Sequence, residues 1–267
     1  MLKRDHPLRV AILSSRRAPG AGALLASPHH GSAFEVVGAL ASDEEFRDAA
    51  TLEGAGVPVI AHPIRPFYRK RGAGLTDMSV RRDYDRRTVH LLGILKPELL
   101  FLSSYLYILT EPVLQALPDR IVNVHGSDLA ERDSSGLPRY TGLRAVADAI
   151  LAGERETRAT AHWVTDEVDR GTPILRSRPF PVSPLAQSAR ARGDERMLEA
   201  YTFAHQEWML HEAWGPLLAG VARLVATGRI AFGGRPAANG TRFPLWEISE
   251  QGGLRISDHA ARPLGVN

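Results

Sequence analysis

The first clear pattern is a nearly continuous apolar run, Leu8–Ser14 (LRVAILS), the signature of a parallel strand buried on both faces. Comparable runs recur at Phe34–Ala41, 57–61, 98–102 and Ile121–His125, and again at 157–164 and 172–179. Between them, apolar residues recur at helical spacing. Residues 79–95 place Val80, Tyr84, Val89, Leu91, Leu92 and Leu95 along a helix that Pro97 stops. Residues 43–55 predict a helix with Ser42 as its N-cap. Residues 111–117 predict a short one with Pro112 in its first turn. Residues 142–153 carry Leu143, Val146, Ala147, Ile150 and Leu151 on one side, and 194–226 read as one long helix, continuous or broken. Strands alternating with helices predict an α/β fold: a mainly parallel, doubly wound, Rossmann-like sheet with helices on both faces. The catalytic domain is expected over 1–230. Residues 231–267, where Gly and Pro are frequent, are expected to form an extension lying on it or partly disordered, not an independent domain.

Two places break the pattern. Ile121–Ser127 (IVNVHGS) ends an apolar strand with Asn123 and His125, two apart and so on one face of an extended chain. Residues 162–171 (HWVTDEVDRG) carry Asp166 and Asp169 on a polar turn. An amide can donate to an oxygen that becomes negative in a transition state. An imidazole can donate to the same oxygen or move a proton near neutral pH. A carboxylate within reach would orient the imidazole and favour its charged form. Together they suit acyl transfer to an amine, with neither metal nor covalent nucleophile. Taken singly, each also fits a plain structural role: Asn123 in a turn, His125 in the core, the aspartates capping a loop. His162, between Ala161 and Trp163, reads as a core histidine, with a supporting polar role as the alternative.

Composition narrows the setting. The chain has no cysteine, which excludes disulfides and thiolate metal sites. The net charge is +3, lysine stands only at 3, 70 and 96, and aromatic residues are not interleaved with the arginines; no nucleic-acid partner is expected. No apolar run approaches bilayer length, and the first residues read as a strand rather than a signal, so a cytoplasmic protein with no membrane partner is expected. His205 and His211 are six apart, off a common helix face, so no zinc pair is expected there. Arg65, Arg69, Lys70, Arg71, Arg81, Arg82, Arg86 and Arg87 read as a solvated face, with an anion-attracting lid as the alternative. In loop 15–22, Gly20 and Gly22 fit a dinucleotide pattern but Leu25 takes the third glycine position. With Asp43 they weakly suggest a dinucleotide-dependent oxidoreductase. Arg16 and Arg17 there either grip a phosphate or are solvated.

NVHGS followed by PRYTGLRAVADAILAGERETRATAHWVTDEVDRGTPIL resembles the core of the formyltransferases that use 10-formyltetrahydrofolate, most nearly the phosphoribosylglycinamide formyltransferases of purine synthesis. The shared motif is Asn-x-His-x-Ser, a Tyr-Pro-Gly segment, a helix, and Val-Thr-x-Glu-x-Asp-x-Gly. Here it falls on Asn123, His125, Ser127, Tyr140, Gly142, Val164, Thr165, Glu167, Asp169 and Gly171, with Thr141 in place of the Pro. The resemblance implies Asn123, His125 and Asp169 as the catalytic set. It implies Leu106, Tyr107, Ile108, Leu109, Val164, Thr165 and Asp166 as the folate site. It implies 10-formyltetrahydrofolate as donor co-substrate, with no metal. The acceptor is expected to be a small, anionic primary amine similar to glycinamide ribonucleotide, held by Arg16, Arg17, Glu207 or Glu212. A sugar amine as acceptor, hydrolysis of the formyl-folate, and a non-catalytic folate- or nucleotide-binding module are the alternatives. A homodimer is left open. Two departures bear on the acceptor: Arg16 and Arg17 replace the family's Ser-Asn phosphate loop, and 128–137 is an insertion beside the histidine.

Overall fold

A computed structural model describes residues 5–234 and 244–257. Its strands are β1 (Leu8–Ser14), β2 (Phe34–Ala41), β3 (Val59–Ala61), β4 (Leu99–Leu102), β5 (Ile121–His125), β6 (Glu156–Thr157), β7 (Thr160–Trp163), β8 (Pro173–Arg176), β9 (Phe180–Pro181), β10 (Trp246–Ile248) and β11 (Leu254–Ile256). The helices are α1 (Ala21–Leu25), α2 (Ala49–Gly54), α3 (Ile64–Arg69), α4 (Met78–Leu95), α5 (Glu111–Ala116), α6 (Ala145–Ala152), α7 (Pro184–Arg192) and α8 (Glu195–Ala226). Nine strands form one sheet in the order β11-β10-β8-β7-β5-β4-β1-β2-β3, and β6 pairs separately with β9. Strands β3, β2, β1, β4 and β5 run parallel, β7 is antiparallel to β5 and β8, and β10 is parallel to β8.

The apolar runs are continuous because the parallel strands are covered on both faces. On β1, Val10 and Ile12 join the core under α8, while Ala11 and Leu13 face the opposite core with Leu91, Leu92 and Leu95 of α4. Helix α8 runs 32 residues, about 48 Å at 1.5 Å per residue, with Pro216 inside it. It approaches the start of α1 where both segments carry glycine: a Cβ on Gly20 would lie 2.5 Å from the Gly215 nitrogen. Gly20 also has φ +83, so two independent constraints select glycine there. That glycine therefore serves helix packing. Asp43 does not line the site described below.

Several expected elements change. The helix expected at 43–55 is confined to Ala49–Gly54, with Asp48 rather than Ser42 at its N-cap, and both side chains are engaged elsewhere. The Asp48 carboxylate accepts from the Ala18 N–H (2.7 Å), and the Ser42 hydroxyl bonds the Ser15 hydroxyl (3.1 Å). The strand expected over 157–164 divides into β6 and β7. Helix α6 begins only at Ala145, since the Gly142 N–H is donated to Asp169 Oδ2 (2.9 Å). Helices α3 and α7 were not expected. Part of the expected tail is ordered strand: β10 extends the sheet beside β8, anchored by Arg176 bonding Glu247 at 2.8 and 2.9 Å. Arg81 is not on a solvated face; it is 3% exposed.

Candidate active site

Strands β1, β4 and β5 end at the same edge of the sheet, where ligands of open α/β sheets gather. Beyond that edge lies a cavity of about 720 Å³. Asn123 and His125 reach it from β5, and Asp169 from the turn after β7. The antiparallel register opposes Asn123 to His162, and this brings a fourth polar side chain into the group. His125 Nδ1 lies 3.5 Å from Asp169 Oδ2, and His162 Nε2 lies 3.8 Å from Asp169 Oδ1. Asn123 Nδ2 lies 3.3 Å from His162 Nε2. His162 Nδ1 is 2.9 Å from the Trp163 carbonyl. A neutral ring that donates Nδ1–H to that carbonyl presents a lone pair at Nε2, which accepts from the Asn123 amide and fixes its orientation.

The backbone around these groups is under local constraint. Asp169 has φ 56, the left-handed region, which an aspartate tolerates. A Cβ on Gly171 would lie 1.6 Å from the Trp163 carbonyl oxygen, so only glycine lets the turn close this tightly. Ser127 Oγ donates to the Tyr140 carbonyl (2.6 Å), and Thr160 Oγ1 to the Ser127 carbonyl (2.7 Å), which ties the end of β5 to the segment leading to Gly142.

Electrostatically the site favours neutral imidazoles. Burial lowers the His125 pKa, and Asp169 and the Tyr140 carbonyl oppose that only in part. His125 is thus neutral near pH 7, where the sequence suggested that Asp169 would keep it charged. Burial and then His125 lower His162 to about 4. His125 Nε2 is buried with no hydrogen-bond partner among the described residues. Of the buried polar atoms of this group it is the one without a partner among the described residues.

The remaining candidates separate into walls. Leu106, Tyr107, Ile108, Leu109, Val164, Thr165 and Asp166 all line the cavity, and Leu106 and Ile108 are more than half exposed there. Arg16, Arg17 and Glu207 line it too. Arg17 and Glu207 form a bidentate pair at 2.6 and 2.7 Å, which raises the arginine pKa and lowers the glutamate's. Glu212 is not part of the cavity; it is exposed beside Arg178 at 3.4 Å, five residues or about 1.4 turns along α8 from Glu207 and so turned away. No residue of 128–137 lines the cavity, and Asp128 pairs instead with Arg176 (2.9 Å). Sequence reasoning preferred a core role for His162, with a supporting polar role as the alternative, and did not single out Arg47; both line the cavity. The signal for His162 was its cross-strand partner; Arg47, on an irregular loop, had none. No His, Asp and Glu cluster suited to a metal occurs among the described residues.

The chain was compared with known proteins. The family model described as formyl transferase matches residues 8–200. Phosphoribosylglycinamide formyltransferase of Escherichia coli (strain K12) is 31% identical over 98 residues, 37% of this chain and 42% of that protein. The protein of the same name from Haemophilus influenzae is 27% identical over 195 residues, 72% of this chain and 83% of that one. Formyltetrahydrofolate deformylase of Escherichia coli (strain K12) is 24% identical over 168 residues, 62% and 52% of the two chains. The match thus spans less than two thirds of either Escherichia coli protein. Among solved structures, glycinamide ribonucleotide transformylase 1 from Symbiobacterium toebii superposes with TM-score 0.61 at 22% identity, over 88% of this chain and 95% of that one, which shows a shared fold. With the family model matched from β1 into α8, the chain belongs to the formyl transferase family.

Proposed function

We propose that the chain transfers a formyl group from 10-formyltetrahydrofolate to a small, anionic primary amine, with a glycinamide ribonucleotide-like acceptor favoured. One observation carries this reading. Asn123, His125 and Asp169 converge on a cavity with an apolar wall at Leu106–Leu109 on one side and arginines on the other. The unpartnered, buried His125 Nε2 suits a polar ligand atom, and the half-exposed Leu106 and Ile108 suit an apolar ring system. The bound folate would supply an activated formyl group and a nitrogen leaving group.

In this mechanism the Asn123 amide and His125 Nε2 bind the formyl oxygen as it gathers negative charge. Neutral His125 carries its hydrogen on Nε2 and donates it to that oxygen; its Nδ1, beside Asp169, takes up by way of water the proton the attacking amine loses, and Asp169 stabilises the imidazolium that results. Asp169 is also the carboxylate through which that proton, by way of water, reaches the folate nitrogen. His162 stays neutral and holds Asn123 in orientation. Arg16, Arg17 and Arg47 supply positive charge on the acceptor side, and Glu207 competes there for Arg17.

A second reading is hydrolysis of the formyl-folate, favoured by the deformylase relative and by the Arg17–Glu207 pair, which occupies arginine donors an acceptor phosphate would use. Mass analysis of the acceptor decides between them. Incubation with donor and glycinamide ribonucleotide should give the N-formylated acceptor; free formate with the acceptor unchanged would replace transfer by hydrolysis.

A further inference from the structure

Arg81 and Asp85 lie one turn apart on α4 and point inward, 3% and 0% exposed. Their side chains face each other at 3.7 Å. Both reach to residues 105–110, the irregular strip between β4 and α5 that forms the apolar wall of the cavity. Arg81 donates to the Ile108 carbonyl from Nε (2.9 Å) and Nη2 (2.6 Å), and to the Tyr105 hydroxyl from Nη2 (2.7 Å). Asp85 Oδ2 accepts from both the backbone N–H and the hydroxyl of Thr110, each at 2.7 Å. The rings of Tyr84, Tyr105 and Tyr107 surround the guanidinium at 5.3, 5.7 and 5.2 Å.

A buried ion pair is a costly way to stabilise a fold, since apolar side chains of similar volume often serve as well or better. What it can do that apolar side chains cannot is hold backbone polar groups in place. Here those groups belong to a strip in neither helix nor strand. Its start is tied separately: the Leu106 N–H donates to Ser15 Oγ (3.1 Å).

We propose that Arg81 and Asp85 are positioning residues for the folate donor. By pinning Tyr105, Ile108 and Thr110 they hold the Leu106–Leu109 wall in the shape that receives the donor's ring system, and so set donor affinity rather than the chemical step. This rests on the donor-site reading given above.

The test uses the full chain as wild type, Arg81→Met, and two milder variants, Tyr105→Phe and Thr110→Val, each of which removes one hydroxyl of the network. Amide hydrogen exchange is followed over 106–110. Affinity is measured for unformylated tetrahydrofolate, and KM for donor and acceptor are measured with kcat. Arg81→Met should weaken tetrahydrofolate binding by about tenfold to a hundredfold, the span of one charge-assisted hydrogen bond. The milder variants should weaken it by about twofold to fivefold. Exchange should accelerate within 106–110, and the kinetic loss should fall on donor KM, with kcat and acceptor KM within about twofold of wild type. Should Arg81→Met not fold, the milder variants decide alone. Unchanged tetrahydrofolate affinity in every folded variant overturns the proposal, as does a loss shared equally by kcat and both KM values. A wild-type chain that binds no tetrahydrofolate refutes the donor-site reading instead, and the proposal falls with it.

Discussion

Replacing Asp169 with Asn separates the charge of this residue from its shape. Asparagine is among the few side chains that tolerate the left-handed φ of 56 found here, and its carbonyl can still accept the Gly142 N–H at 2.9 Å. The turn should therefore close as before. What is lost is the attraction between a carboxylate and the imidazolium formed at His125, whose Nδ1 lies 3.5 Å away. At an effective dielectric near 20, that attraction is about 5 kcal/mol. An amide dipole in its place would retain a part, so the barrier should rise by roughly 3 kcal/mol, about two orders of magnitude in turnover. The donor wall at Leu106–Leu109 is untouched, so tetrahydrofolate affinity should stay within about threefold. Single-turnover formyl transfer, read beside tetrahydrofolate binding, makes the comparison. Turnover within about threefold of wild type would refute the role assigned to Asp169.

Three further outcomes follow from the same geometry. Gly171→Ala should destabilise the fold by about 2 kcal/mol or more and displace Asp169, because its methyl would collide with the Trp163 carbonyl at 1.6 Å; thermal unfolding and turnover should both fall, and a normal melting temperature would contradict this. Asn123→Leu should lower kcat by about a hundredfold or more while leaving acceptor and donor KM nearly unchanged, as loss of one oxyanion donor does; a pure KM effect would assign Asn123 to binding. Stability should drop as pH falls from about 6.5 towards about 4, checked by thermal melts across that range. The sign follows from His62, His125, His162 and His205, whose folded pKa values all lie below the unfolded value, with His62 and His162 at about 4. The unfolded chain takes up protons first on acidification, so their stabilisation is present above the unfolded pKa and lost on the way down. Asp85, raised by burial, acts in the opposite sense at the low end, and a melt flat between pH 7 and 4.5 would show that the imidazoles are not buried as described.

The strands were legible because they obey a local rule. Leu8–Ser14, Phe34–Ala41 and Ile121–His125 have the bounds their apolar runs indicated, since burial on both faces leaves no room for polar residues. Asn123 and His125 stood out as breaches of that rule. What was illegible depends on partners far along the chain. Arg81 looks like a solvated helix position until Tyr105, Tyr107 and the Ile108 carbonyl are brought to it. His162 reads as a core histidine until β7 pairs antiparallel with β5 and sets it against Asn123. Trp246–Ile248 becomes a strand because β8 offers an edge and Arg176 a buried partner for Glu247. The helix expected at 43–55 is confined to Ala49–Gly54, and Ser42 and Asp48 make long-range bonds to Ser15 and Ala18 that local propensity does not encode.

Formyl transfer to an anionic amine is tested most directly by following tetrahydrofolate release from 10-formyltetrahydrofolate, with and without glycinamide ribonucleotide. The account predicts release that depends on the acceptor and is abolished to within about one per cent by Asp169→Asn. Equal release without any acceptor would contradict transfer and support hydrolysis.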